Sequence, residues 1–302
     1  MVSKKIRTFA DRFFFKLRMM KKETKVLFIS QEIDPYLSET EIANFCRKIP
    51  QYAQEHGTEI RVFMPCYGHI NERRNQLHEV QRLSGVNIII NDNDHPLIMK
   101  VASIPTIRVQ VYFIDNDDYF HRKGISGDAE GNKFDDNDER SLFFVRGVLE
   151  TVKRMRWTPD IIHCTGWITA LAPMFIKQSY ITDPFFAKAK IIYTVCRERL
   201  VSPMLPELDG RMAFDRIKPN DYMDLACSPM LTSDNLDALA ARYSDGIIAE
   251  IEEIPERVKR VIEERNLPVL EYEDATPGQR QYEFFKRVCP VFGEEIEEKK
   301  EE

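Results

Sequence analysis

The chain has 302 residues, 43% of them hydrophobic and 30% charged, with a formal net charge of −6. That balance excludes a generally basic nucleic-acid binder and a disordered chain, and it supports a sizeable core in one large or two small domains. The six cysteines (Cys46, Cys66, Cys164, Cys196, Cys227 and Cys289) are scattered without a C-x-x-C pair, so reduced thiols in a cytoplasmic protein are expected.

Residues 1–23 carry eight basic and two acidic side chains. Ile6, Phe9, Phe13, Phe14 and Leu17 recur at helical spacing and form an apolar stripe opposite a cationic face. Arg12, Lys16 and Arg18 interrupt any secretory h-region. Three readings stay open: peripheral membrane contact through residues 1–20, a helix packed on its own domain, and a true start at Met20. No apolar run approaches the roughly 18 to 20 residues that span a bilayer.

Residues 24–292 read as one α/β domain, followed by an acidic tail, 293–302, expected to be solvated. Short, continuously apolar runs at 26–30, 59–64, 161–164, 191–195 and 246–249 mark strands buried on both faces. Helical patterns occupy 39–56, 138–156, 169–178, 255–265 and 279–288. Strand-like runs at 86–90, 97–102 and 107–114 lie too close together for intervening helices, so they form an antiparallel excursion. The expected fold is a Rossmann-like, mostly parallel sheet flanked by helices. Ligands bind such sheets beyond the carboxyl ends of the strands, which singles out the loop after Ser30, the Asp-rich segment 127–140 and the segment 163–167.

At these loops the chain resembles the N-terminal domain of glycogen and starch synthases, glucosyltransferases built from two Rossmann domains. The likeness rests on Lys25 to Glu32 with Pro35, on Glu59 to Gly68, on Val111 to Asn116, and on Tyr243 to Ile247. It rests also on Asp136-Asn137 with Arg140, matching D-N-x-x-R, and on Pro159 to His163 with Trp167, matching P-D-x-x-H-x-H-D-W. The resemblance implies the N-terminal half of a two-domain glycosyltransferase, with Asp136 and Asn137 at the catalytic positions and Arg140, His163 and Trp167 at substrate-binding positions.

Several family positions are altered. Where the family's K-x-G-G-L loop grips a nucleotide-sugar diphosphate, Ser38 replaces the lysine, and Thr40 and Glu41 replace the glycines. Glycines there would let backbone N–H groups approach phosphate, whereas Ser38 as N-cap with Glu41 at N3 makes a capping box that starts a helix. In the H-x-H-D-W segment the catalytic-centre histidine is Thr165 and the aspartate is Gly166. A hydroxyl cannot replace imidazole in acid–base work near neutral pH. His163 and Trp167 then read as strand-end or packing residues, and Asp136-Asn137 equally as a turn or helix cap. No further βαβ series follows residue 245, where the family has a second Rossmann domain.

The expected function is a synthase-like domain of α-glucan metabolism, non-catalytic on its own, with an α-glucan or a protein as partner and no nucleotide sugar bound by this chain alone. The alternative is an active glucosyltransferase completed by a separate chain or using another donor. No ligand spacing calls for a metal, and no cofactor is expected.

Overall fold

The computed structural model describes residues 24–37, 40–197, 200–203, 212, 215–222, 224 and 230–292. Residues 1–23, Ser38, Cys227 and the tail 293–302 lie outside the described residues, so the expectations for the basic extension, the Ser38 position and the acidic tail fall outside them too.

The first half of the chain runs β1 (Lys25–Ser30), α1 (Glu41–Glu55), β2 (Glu59–Pro65), β3 (His78–Glu79), β4 (Val86–Ile90), β5 (Asn93–Ser103), β6 (Gln110–Asp115), α2 (Asp117–Phe120) and α3 (Asn137–Arg154). It continues with β7 (Ile161–Thr165), a 3₁₀ turn (Trp167–Thr169), α4 (Ala172–Gln178), β8 (Lys190–Cys196), β9 (Val201–Pro203) and β10 (Met230–Thr232). The last elements are α5 (Ser233–Arg242), β11 (Gly246–Glu250), α6 (Glu256–Arg265), β12 (Val269–Leu270) and α7 (Gln279–Val288).

Ten strands form one sheet in the order β12-β11-β8-β7-β1-β2-β6-β5-β3, with β4 paired to β5. Every pairing from β12 across to β6 is parallel, and β3, β4 and β6 pair antiparallel with β5. This is the expected sheet with its antiparallel excursion. Burial follows pairing: β1, β7 and β8 are enclosed along almost their whole length, whereas β4 alternates buried and exposed residues on the flank.

Helices close both faces. Gly147 lets α3 lie directly on the sheet, since a Cβ there would meet Ile114 and Leu97 at 3.1 and 3.2 Å. The terminal α7 returns beneath β1 and β7, its Phe285 6.1 Å from Phe28 and 5.4 Å from His163, ring to ring.

Some boundaries differ from the sequence reading. The strand expected at 107–114 begins at Gln110, because Arg108 takes a left-handed φ of 56° in a turn closed by Ile104 N–H to Val109 C=O at 2.9 Å. The helix expected from residue 169 begins at Ala172, the preceding residues winding as the 3₁₀ turn. Cys46, Cys66, Cys164, Cys196 and Cys289 are buried free thiols. Among the described residues no helix is long and apolar enough to cross a membrane.

Candidate functional site

In sequence order the chain leaves β1 toward β2 on one side, while β7 pairs with β1 on the other. The strand order reverses there, where a doubly wound sheet opens its ligand crevice. In this chain the opening is filled. Gln31 extends the β1–β7 ladder by one bond, its N–H donating to Thr165 C=O at 3.0 Å. Its side chain accepts from the Trp167 N–H at 3.1 Å and donates to Glu32 Oε1 at 3.1 Å. Glu32 Oε2 accepts the Thr40 hydroxyl at 3.0 Å, and Thr40 Oγ1 accepts the Ala43 N–H at 3.0 Å. Gln31 and Glu32 are both buried, so this hydrogen-bonded chain closes the mouth between β1 and β7.

The same network corrects the helix start. Thr40, not Ser38, is the N-cap of α1, with extended φ and ψ of −107° and 160°. Glu41 is therefore the first helical residue, not the third, and no capping box forms with it. The Thr40 hydroxyl serves two partners at once, donating to the buried Glu32 carboxylate and accepting from the Ala43 N–H.

Gly166 has φ 92° and ψ 160°, a region open essentially to glycine alone. A Cβ there would stand 2.5 Å from Gln31 Cβ and 2.6 Å from its Oε1. The family aspartate therefore has no room while Gln31 occupies the mouth. Thr165 is buried at the end of β7, where its hydroxyl and that of Ser30 hydrogen-bond the Cys46 thiol, whose pKa burial pushes up to about 12.

His163 lies in mid-strand and faces inward. Its Nε2 shares a 2.7 Å hydrogen bond with the Thr194 hydroxyl, and rings of Phe28, Phe45 and Phe285 surround it. Burial pulls its pKa down to about 3, so it is neutral across the physiological range. Trp167 is also buried, and its indole Nε1 has no hydrogen-bond partner among the described residues.

The remaining family-matched residues gather at the start of α3. Asp136 holds the N-cap position without capping, and instead forms a 2.6 Å ion pair with Arg122. Asn137 is fully buried, donating to Ser126 C=O at 2.9 Å and accepting from Arg140 at 2.8 Å. Arg140, fully buried as well, donates to Tyr119 C=O and Ile125 C=O at 2.8 and 2.6 Å. The rings of Tyr67, Phe120 and Phe134 lie 5.0–5.9 Å from its guanidinium carbon. Burial lowers its pKa to about 10, so it stays cationic and pins the 119–126 loop. Ser141, one turn further along, donates to Ile168 C=O at 2.9 Å and ties this cluster to the turn that carries Trp167.

Open volume adjoins this mouth. A cavity of about 330 Å³ is lined by Thr40, Glu41, Ile42, Phe45, Cys196, Arg197 and Glu250, at the carboxyl ends of β8 and β11. Arg197 donates to the Tyr272 hydroxyl at 2.9 Å and pairs with Glu252 at 3.2 Å and Glu41 at 3.6 Å. Burial raises Glu250 to about 7, Glu41 adding to the rise while Arg280 and Arg197 oppose it. Arg197 and Glu250 were not singled out from the sequence. The strand-end rule applied to the runs at 191–195 and 246–249 would have found them.

For metals, the described residues bring together Cys66, Glu72 and Asp115. The Lys100 ammonium sits among them, 2.6 Å from Glu72 and 2.7 Å from Asp115, and supplies the countercharge.

A doubly wound sheet with its candidate site at the carboxyl edge, with the D-N-x-x-R segment opening α3 and the P-D-x-x-H segment leading into β7, defines a Rossmann-type glycosyltransferase domain. Residues 25–204 match the family model of the starch synthase catalytic domain, and the chain belongs to the glycogen/starch synthase family. It is 39% identical over 178 residues to a glycogen synthase of Chlorobium limicola, covering 59% of this chain and 36% of that one. With a glycogen synthase of Chlorobium phaeobacteroides it shares 33% identity over 256 residues, 82% of this chain and 52% of the other. The fold superposes on the catalytic domain of starch synthase IV from Arabidopsis thaliana bound to ADP and acarbose, with a TM-score of 0.65 and 15% identity over 83% of this chain and 52% of that one. The chain thus spans about half the length, or less, of the relatives it matches.

Proposed function

We propose that this chain is a cytoplasmic member of the family that binds rather than transfers, serving α-glucan metabolism as a binding or regulatory domain without glucosyltransferase activity of its own. Gln31 carries this proposal: its side chain fills the β1–β7 mouth against Gly166 and Trp167. Around it, Glu32 is spent on Thr40, and Glu41 and Glu250 face the adjoining cavity. A diphosphate brought ~4 Å from one such carboxylate meets a repulsion of about 4 kcal/mol at an effective dielectric near 20. His163 is neutral and enclosed, so it offers no acid–base group to a ligand. An uncharged glucan suffers no such repulsion, and an α-glucan or a protein is the proposed partner.

Calorimetric titration of the full chain should give heat with maltooligosaccharides and none with ADP or ADP-glucose. Incubation with radiolabelled ADP-glucose and glycogen should give no more label in glucan than a heat-killed control. A second function, transfer completed by a separate chain or with another donor, is favoured by Glu250, poised near neutrality beside Arg197. Label incorporated above the control, and lost in Glu250→Gln, would overturn the binding role and establish the transferase.

A further inference from the structure

At the opposite, amino end of the sheet, a second cavity of about 400 Å³ has Arg61, Arg82, Arg154, Gln110, Tyr112 and Trp157 in its lining. Arg61 lies near the start of β2 and Gln110 at the start of β6, which pairs with it in parallel. Arg154 ends α3, and Arg82 comes from the loop before β4. Three arginines line it and no lining residue is acidic, although the chain as a whole carries more acid than base.

The carboxylate paired with Arg61 is already engaged. Glu59 accepts the Trp157 indole N–H at 2.7 Å and pairs with Lys25 and Arg61 at 3.2 and 3.1 Å. That bond fixes the Trp157 ring, over which Arg61 lies at 5.4 Å and Lys25 at 6.0 Å. The Arg82 and Arg154 side chains are exposed, and neither hydrogen-bonds or ion-pairs with another described residue. Exposed cations are ordinarily offset by nearby acids or spread apart; here two unpaired forks and a third, partly paired one open into the same cavity.

We propose that this cavity binds a small soluble organic phosphate. Arginine forks match the geometry of a phosphate oxygen pair, and a phosphomonoester dianion, with three terminal oxygens and two charges, can engage more than one of them at once. The volume exceeds what the phosphate group fills and lies in the range of small-molecule sites. Tyr112 and Trp157, with the Gln110 amide, line the same cavity and suit a polar ring such as a sugar. This site is separate from the carboxyl-edge cavity and does not depend on whether the chain transfers glucose.

The test is calorimetry on the full chain at fixed ionic strength, with inorganic phosphate and glucose 1-phosphate as probes and glucose and potassium chloride as controls. Both phosphates should bind, glucose 1-phosphate the tighter, and the controls should not. The double variant Arg82→Gln, Arg154→Gln should weaken binding about tenfold or more. Arg257→Gln with Arg260→Gln, which removes the same charge from α6, should leave it unchanged. The proposal is overturned if millimolar phosphate and glucose 1-phosphate give no heat, if the α6 variant loses as much affinity as the cavity variant, or if only vesicles containing phosphatidic acid bind.

Discussion

The two mouths along the carboxyl edge of the sheet differ in what fills them. Between β1 and β7 a relay of polar groups runs from the Trp167 N–H through Gln31 and Glu32 to Thr40 across the mouth. Over β8 and β11 the groups are Arg197, Glu41 and Glu250, and they surround about 330 Å³ of open volume. The crevice that a doubly wound topology offers is therefore not guaranteed by the topology. One glutamine side chain paired with one glycine is enough to close it and leave the neighbouring strand ends as the accessible site.

The largest expected contrast between the two regions is their opposite response to acid. His163, under the closed mouth, has its folded pKa held at about 3, below the ~6.5 of an unfolded histidine. Its contribution is therefore fully present above about pH 6.5 and is lost as pH falls toward 3, on the order of 4 kcal/mol in all. Urea midpoints measured down this range should fall steeply in the parent and more shallowly in His163→Gln, which can keep the Thr194 bond without titrating.

Reopening the closed mouth comes next in size. Gly166→Asp places a Cβ 2.5 Å from Gln31 Cβ at a φ of 92°, and should cost about 3 kcal/mol by urea unfolding. Adding Gln31→Ala relieves the clash but not the backbone strain, so it should recover only part of the loss. A neutral Gly166→Asp would mean that Gln31 does not seal the crevice.

Glu250 sharpens the comparison from the open side. Its folded pKa, near 7, lies above the unfolded carboxylate value. Its contribution is then fully present below about pH 4.5 and is lost as pH rises to 7. The size is about 1 to 2 kcal/mol once solvent screening of a half-buried group is allowed for. In Glu250→Gln this rising-pH loss should vanish while the His163 loss at low pH remains.

The smallest effect concerns the link between the two mouths, the cap of α1. Thr40→Ala removes both the bond to Ala43 and the donor to Glu32, for about 1 to 2 kcal/mol. Thr40→Ser should be close to neutral. Ser38→Ala, the change that the capping-box pattern alone would rank first, should cost less than Thr40→Ala in the same thermal melts.

Much of this molecule is legible in its residues. The runs at 26–30, 161–164 and 191–195 mark central strands because a strand covered on both faces leaves no place for alternating polar residues. The crowded runs at 86–114 mark antiparallel pairing because there is no length for a helical crossover between them. Arg140 is different. D-N-x-x-R suggested contact with substrate, but the side chain is enclosed by Tyr67, Phe120 and Phe134 and holds the carbonyls of residues 119 and 125. Nothing in the spacing of a motif states which way a long side chain turns.

By itself, then, the sequence determined the strand and helix periods, the mostly parallel sheet and the family, since each of these is carried by local patterns and short motifs. Tertiary structure alone decided that Gly166 is required by Gln31, that Thr40 caps α1 while its hydroxyl bonds Glu32, and that Arg61, Arg82 and Arg154 share a cavity. Those outcomes depend on approach distances between residues far apart in the chain, and periodicity contains no information about such distances.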